Sequence, residues 1–224
     1  MKMKMKKNPE IEPIGPKSIH KTFVQLVKQS SNCRLCPALA DMPAVLSSKN
    51  GNLKAKILFV AEAPGRLGAG RTGIPFYGDK SGDNFEILLA HIGLKREEVF
   101  ITNAVLCNPL ENGNNRRPKK SEIKNCSPFL KETLELIRPQ LVITLGSVGL
   151  QALNLLLGTE YQLNKEVAKK LATPDFILFP LYHPSPRVTN WIRPLTQQKK
   201  DFKKIPHQAD SKIKIALKKC NNPI

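Results

Sequence analysis

Four cysteines constrain this chain more than any other feature. Cys33 and Cys36 form a C-x-x-C pair in Asn32-Cys33-Arg34-Leu35-Cys36-Pro37. Cys107 ends an apolar run that begins at Val99, and Cys126 sits in Asn125-Cys126-Ser127-Pro128. Four thiolates can close a tetrahedral zinc site or hold a cubane iron–sulfur cluster, and spacing alone does not separate the two. Either group would tie an N-terminal segment to the middle of the fold. Small cysteines filling core are the plainer alternative, but a C-x-x-C pair flanked by polar residues is poor core material. The fifth cysteine, Cys220, lies in a lysine-rich stretch and reads as incidental.

A chain of 224 residues can bury a core of its own. The expected organisation is a basic N-terminal tail over 1–17, one folded unit over 18–196 that includes the metal site, and a lysine-rich tail over 197–224. No apolar run reaches the ~18 residues of a membrane span. Met1-Lys2-Met3-Lys4-Met5-Lys6-Lys7 has no apolar stretch behind it, so no secretory signal is expected. A reducing, cytoplasmic setting follows, nucleoid-associated in a bacterium or archaeon, where clustered cysteines bind metal more often than they pair.

The 36 basic residues against 18 acidic ones leave a formal charge of +18, which attracts phosphate and favours a nucleic-acid partner over a membrane. Much of that excess lies at the ends. Residues 197–219 hold eight lysines and two aspartates. Such runs are usually solvated, so charge alone favours nucleic acid only modestly.

Residues 54–61, 99–106, 140–145 and 176–181 are short apolar runs that read as buried strands. Helical patterns cover 83–92, 119–138 with Ser121 as its cap, and 147–157 ended by Gly158. A further helix over 18–29 precedes the C-x-x-C pair. Strands alternating with helices predict a parallel sheet covered on both faces. In such sheets ligands bind beyond the carboxyl ends of the strands. Polar or glycine-rich residues stand at those ends: Glu62, Asn103, Gly146-Ser147 and His183-Pro184-Ser185. The site is expected there.

Gly68-Ala69-Gly70-Arg71-Thr72-Gly73 matches G-x-G-x-x-G, yet Ile74-Pro75 follows where a dinucleotide fold would open a helix, so the nicotinamide reading fails. The phosphate-binding loop G-x-x-x-x-G-K-[ST] and the nucleophile elbow G-x-S-x-G are both missing. Phe76, on this glycine-rich loop, is expected to be exposed and able to stack on a flipped base, against the plainer role of plugging core. Asn103 can present an amide to a pyrimidine edge, or simply satisfy a strand end. His183, followed by proline, is catalytic or structural. Each is weak alone; their shared position at one sheet edge is the argument.

Taken in order, these segments resemble the iron–sulfur branch of the uracil-DNA glycosylase superfamily. The resemblance runs through the C-x-x-C pair, Val60-Ala61-Glu62-Ala63-Pro64-Gly65, Arg71-Thr72-Gly73-Ile74-Pro75-Phe76-Tyr77-Gly78-Asp79, and Ile101-Thr102-Asn103 with Cys107. It continues through Cys126-Ser127-Pro128, Leu145-Gly146-Ser147 and His183-Pro184-Ser185. It implies a three-layer α/β/α fold around a four-stranded parallel sheet, and a [4Fe–4S] cluster on Cys33, Cys36, Cys107 and Cys126 rather than zinc. It implies a monomer that flips uracil out of single- or double-stranded DNA and hydrolyses its N-glycosidic bond, leaving an abasic site. By motif position Phe76 would stack on the base, Asn103 would bond its Watson–Crick edge, and His183 would face O2. Arg187 and its neighbours would press into the duplex, with Ala61, Ala63, Gly65 and Ser185 among the substrate-contacting positions.

The chain also departs from the pattern. The fourth family usually reads G-E-x-P-G with acids after it; here Ala61 and Arg66-Leu67-Gly68 stand at those places. The segment from Gly70 to Asp79 looks more like the fifth family, which has broader base tolerance. The catalytic carboxylate is therefore Glu62, slightly preferred, or Asp79. Two alternatives stand beside this reading: a catalytically silent nucleic-acid-binding member of the fold, and one acting on hypoxanthine or xanthine.

Overall fold

Strand β1 (Ile57–Ala61) is the axis of the molecule, and all five of its residues are buried. That pattern belongs to a strand covered on both faces, which is why its sequence is apolar without alternation. The computed structural model describes residues 16–205. Helix α1 (Pro16–Ser31) precedes β1. After β1 come α2 (Ala69–Thr72), α3 (Lys80–His91) and β2 (Val99–Asn103), then a small hairpin of β3 (Leu110–Glu111) and β4 (Asn114–Asn115). The chain continues through α4 (Lys120–Ile137), β5 (Leu141–Leu145), α5 (Ser147–Leu157), α6 (Leu163–Glu166), β6 (Leu171–Ala172), β7 (Ile177–Leu181), α7 (Pro186–Trp191) and α8 (Leu195–Phe202).

The central sheet has the order β2-β1-β5-β7-β6. The first four strands run parallel, and β6 pairs antiparallel with β7 through Leu171 and Ala172. The expected four-stranded parallel sheet is thus corrected to a mixed sheet of five strands. The extra strand is two residues long, too short to leave a periodic signal. Pro180 sits in β7, beyond the reach of β6, where a missing donor costs no ladder bond on that edge.

Alternate residues of each strand feed two separate cores. Leu58, Val60, Phe100, Val142 and Leu178 pack on the face holding α1, α4 and α5. Ile57, Phe59, Ile101, Ile143 and Phe179 pack on the face holding α3 and α8. Helices on both faces of one sheet give the layered α/β arrangement. On the first face α5 lies very close to β1: a Cβ added at Gly149 would stand 2.4 Å from the Val60 carbonyl oxygen, so only glycine permits this contact.

Two local expectations change. The cap of α4 is Lys119 rather than Ser121, because buried Glu122 reaches back to accept the Lys119 backbone N–H at 2.7 Å. Pro128 lies inside α4 and cannot bond the Lys124 carbonyl, which accepts from Ser127 Oγ at 2.8 Å instead. Residues 197–205, read as the start of a solvated tail, form most of α8 and its end and bury Phe202 and Ile205. Two apolar residues among lysines are a weak signal; packing against α3 and β7 decides it. The N-terminal tail, Cys220 and the rest of the lysine-rich stretch lie outside the described residues.

Candidate active site

The chain leaves β1 toward β2 on one side and later returns to β5 on the other, so a crevice opens beyond the carboxyl ends of these strands. A cavity of about 610 Å³ occupies it. Every residue singled out from sequence for catalysis or substrate contact lines this cavity: Glu62, Asp79, His183, Ala61, Ala63, Gly65, Phe76, Asn103, Ser185 and Arg187. Parallel register explains part of this convergence, since Ala61 pairs with Asn103 and Leu145 with Leu181 at the same sheet edge.

Asn103, the last residue of β2, is 5 % exposed, and its Nδ2 has no hydrogen-bond partner. A buried amide left unpaired costs about 1–3 kcal/mol, and because Asn103 lines the cavity a polar ligand there would satisfy it. His183 follows β7. Its Nδ1 accepts the Ser185 backbone N–H at 3.1 Å, which leaves the proton of the neutral ring on Nε2. The half-buried ring lines the cavity, and desolvation pulls its pKa down to about 4. The ring is therefore a neutral donor at physiological pH. Asn84 of α3 fixes the turn by donating to the Pro184 carbonyl at 2.8 Å.

Phe76 is 9 % exposed, not the exposed loop residue expected; Tyr77 beside it is 56 % exposed. Its ring stacks on Phe85 at 4.5 Å and lies 5.4 Å from the His183 ring, while still reaching the cavity. Its backbone has φ +50°, in the left-handed region that non-glycine residues avoid at about 1 kcal/mol or more. Two contacts hold it there. Arg96 donates from Nη1 to the Pro75 carbonyl at 2.7 Å and from Nη2 to the Phe76 carbonyl at 2.9 Å, while pairing with Glu86. Gly82 lets α3 approach so closely that an added Cβ would lie 2.5 Å from the Phe76 oxygen.

The two carboxylates differ. Asp79 caps α3, its Oδ1 accepting the Gly82 N–H at 2.9 Å, and its Oδ2 packs against the Gly68 backbone. Glu62 has no side-chain hydrogen bond or ion pair among the described residues. Burial raises its pKa, and the Arg117 guanidinium partly opposes that rise.

Sequence reasoning missed the β3–β4 hairpin, which brings Asn115, Arg116 and Arg117 to the cavity. Its signal was present: Asn112-Gly113, with φ +49° and +73°, is the dipeptide that suits a two-residue hairpin turn. Asn115 Oδ1 accepts the Arg66 N–H at 2.9 Å, joining the hairpin to the loop after β1. Arg116 pairs with buried Glu122 through two bonds of 2.6 and 2.8 Å.

The four cysteines line a second, narrower chamber behind the sheet, walled by Leu39, Val105 and Phe129. Leu106 N–H donates to Cys126 Sγ at 3.3 Å, and Asn125 Nδ2 to Cys36 Sγ at 3.5 Å. Burial, reinforced by the neighbouring thiols, pushes Cys107 up to about 11 and Cys126 up to about 12. Among the described residues no group of three or more His, Cys, Asp or Glu side chains is gathered to hold a single metal ion.

The family model described as the uracil DNA glycosylase superfamily matches residues 48–208. The chain is 35 % identical over 161 residues to a type-4 uracil-DNA glycosylase of Sulfurisphaera tokodaii, covering 69 % of this chain and 70 % of that one. It is 34 % identical over 187 residues to a type-4 enzyme of Archaeoglobus fulgidus, covering 80 % and 89 %. A type-5 uracil-DNA glycosylase of Pyrobaculum aerophilum matches at 30 % over 196 residues, covering 75 % and 84 %. Relatives of both types therefore align with one sequence, in keeping with its mixed motifs. The strand-end cavity and these likenesses agree, and the chain belongs to the uracil DNA glycosylase superfamily.

Proposed function

We propose that this protein is a DNA repair hydrolase that takes uracil out of the base stack and cleaves its N-glycosidic bond to leave an abasic site. The observation that carries the reading is the pairing, in one cavity, of an orphaned Asn103 amide with a His183 held neutral. Asn103 offers bonds to the polar edge of a pyrimidine, and Phe76 an apolar face beside it. As the base departs, negative charge develops on its O2, and the Nε2–H of His183 is a fixed donor for it. Positive charge develops on the sugar, and the unpaired Glu62 carboxylate stabilises it and orients the attacking water. Asp79 is a poorer candidate because its Oδ1 is engaged in capping α3, whereas Glu62 has no side-chain partner among the described residues. The uracil-DNA glycosylase relatives support the same reaction.

The four thiols suit a [4Fe–4S] cluster better than zinc. They line one chamber, and two of the sulfurs already accept N–H donors, Cys126 from Leu106 and Cys36 from Asn125, as cluster sulfurs do. Bound there, the cluster would supply a structural crosslink among the C-x-x-C loop, the end of β2 and α4.

The test is incubation of protein purified without oxygen with a uracil-containing oligonucleotide, followed by alkali. Strand cleavage at the uracil is expected. An intact strand, from protein that is brown and binds DNA, would overturn the reading. No helix among the described residues is long and apolar enough to cross a membrane.

A further inference from the structure

Trp191 is the chain's single tryptophan and is 84 % exposed at the end of α7. Full exposure of so large an apolar ring costs hydration free energy, and Trp191 contacts no other aromatic ring among the described residues. Its setting is specific. Val188 and Ile192, which bracket it on α7 and at its end, line the mouth of the cavity, and Ile192 is itself 58 % exposed. Arg187, one turn before Trp191 on the same side of the helix, also lines the cavity. It has no hydrogen bond or ion pair among the described residues. An exposed indole thus stands one helical turn from an unpaired guanidinium that lines the cavity, in a chain of charge +18.

We infer that Trp191 is a stacking platform for an unpaired nucleobase of the DNA strand next to the residue held in the cavity. Charge complementarity selects the occupant: the rim offers a cation for a phosphate and, beside it, a π-face for the adjoining base. Stacking accepts any base, so Trp191 adds affinity for unpaired DNA without reading sequence. The inference rests on the proposed function only for what occupies the cavity.

Being the only tryptophan, Trp191 reports on itself. Titration of the protein with a short oligothymidylate is expected to quench and shift its fluorescence. Trp191→Ala and Trp191→Leu should each weaken oligothymidylate binding by about fivefold or more, and Trp191→Phe should retain most of it. The slope of log Kd against log salt should stay the same in all three, because no phosphate contact is lost. Arg187→Gln should instead flatten that slope by about one unit. Unchanged fluorescence at saturating DNA, or wild-type binding by Trp191→Ala, would overturn the inference. So would the same quench on concentrating the protein without DNA, which would mark a surface between two copies. Uracil excision is assayed on the same preparation. Quenching without excision would remove the glycosylase reading and keep the platform; excision without quenching would do the reverse.

Discussion

The cysteine chamber and the strand-end cavity are built from the same sheet and differ in nearly every physical respect. The chamber sits among apolar side chains, its donors are one chemical type, and burial drives the Cys107 and Cys126 thiols toward the neutral form. The cavity is wide and mixed, with a neutral histidine, an orphaned amide, a desolvated carboxylate and arginines along its wall. One region invites a group that supplies charge to hold the fold together. The other offers preset donors and acceptors to a ligand that arrives and leaves. Chemistry and stability should therefore separate cleanly under mutation.

The largest expected separation comes from Glu62→Gln. It should slow single-turnover cleavage by about 10²- to 10⁴-fold with unchanged thermal stability and an unchanged visible spectrum of the proposed cluster. A similar drop from Asp79→Asn with full capping retained would transfer the role to Asp79. Cys126→Ser should do the opposite, costing more than about 3 kcal/mol in a denaturant titration because bound-group energy is folding energy. Stability equal to wild type would show that nothing is held there.

His183 links the two properties. Its folded pKa of about 4 lies below the ordinary 6.5, so between these values the unfolded chain binds a proton that the folded one does not. The stability it confers is complete above pH 6.5 and is lost as pH falls toward 4, as much as about 3 kcal/mol in all. The difference in urea midpoint between wild type and His183→Asn, followed from pH 7 to 4.5, measures it. A constant difference would mean an ordinary histidine.

Arg96→Gln tests the strained Phe76. Loss of the fork on the Pro75 and Phe76 carbonyls should raise KM about tenfold with a smaller effect on kcat, and Arg96→Lys should not restore it. The smallest effect belongs to Arg117→Gln. Arg117 lowers the Glu62 pKa, so its removal should move the acid limb of kcat/KM to higher pH. Movement to lower pH would break the assignment.

Much of this was legible along the chain. The four long strands appear as apolar runs because both sheet faces are buried, and α5 was bounded correctly at Ser147 and Gly158. Phe76 was not legible in the same way: a glycine-rich loop predicts exposure, and only Phe85, Gly82 and Arg96 reveal why it is held inside. The β3–β4 hairpin was announced by Asn112-Gly113, but strands of two residues carry no periodicity.

The sequence by itself determined the layered α/β class, the cysteine quartet and the polar endings of the strands, because periodicity and strand termini are local properties of a chain. Only the tertiary structure decided that Asp79 is spent on a helix cap while Glu62 stays unpaired. It alone decided that Asn103 lacks a partner and that His183 is neutral. Those properties are set by burial and by neighbours far away in sequence, which no local pattern records.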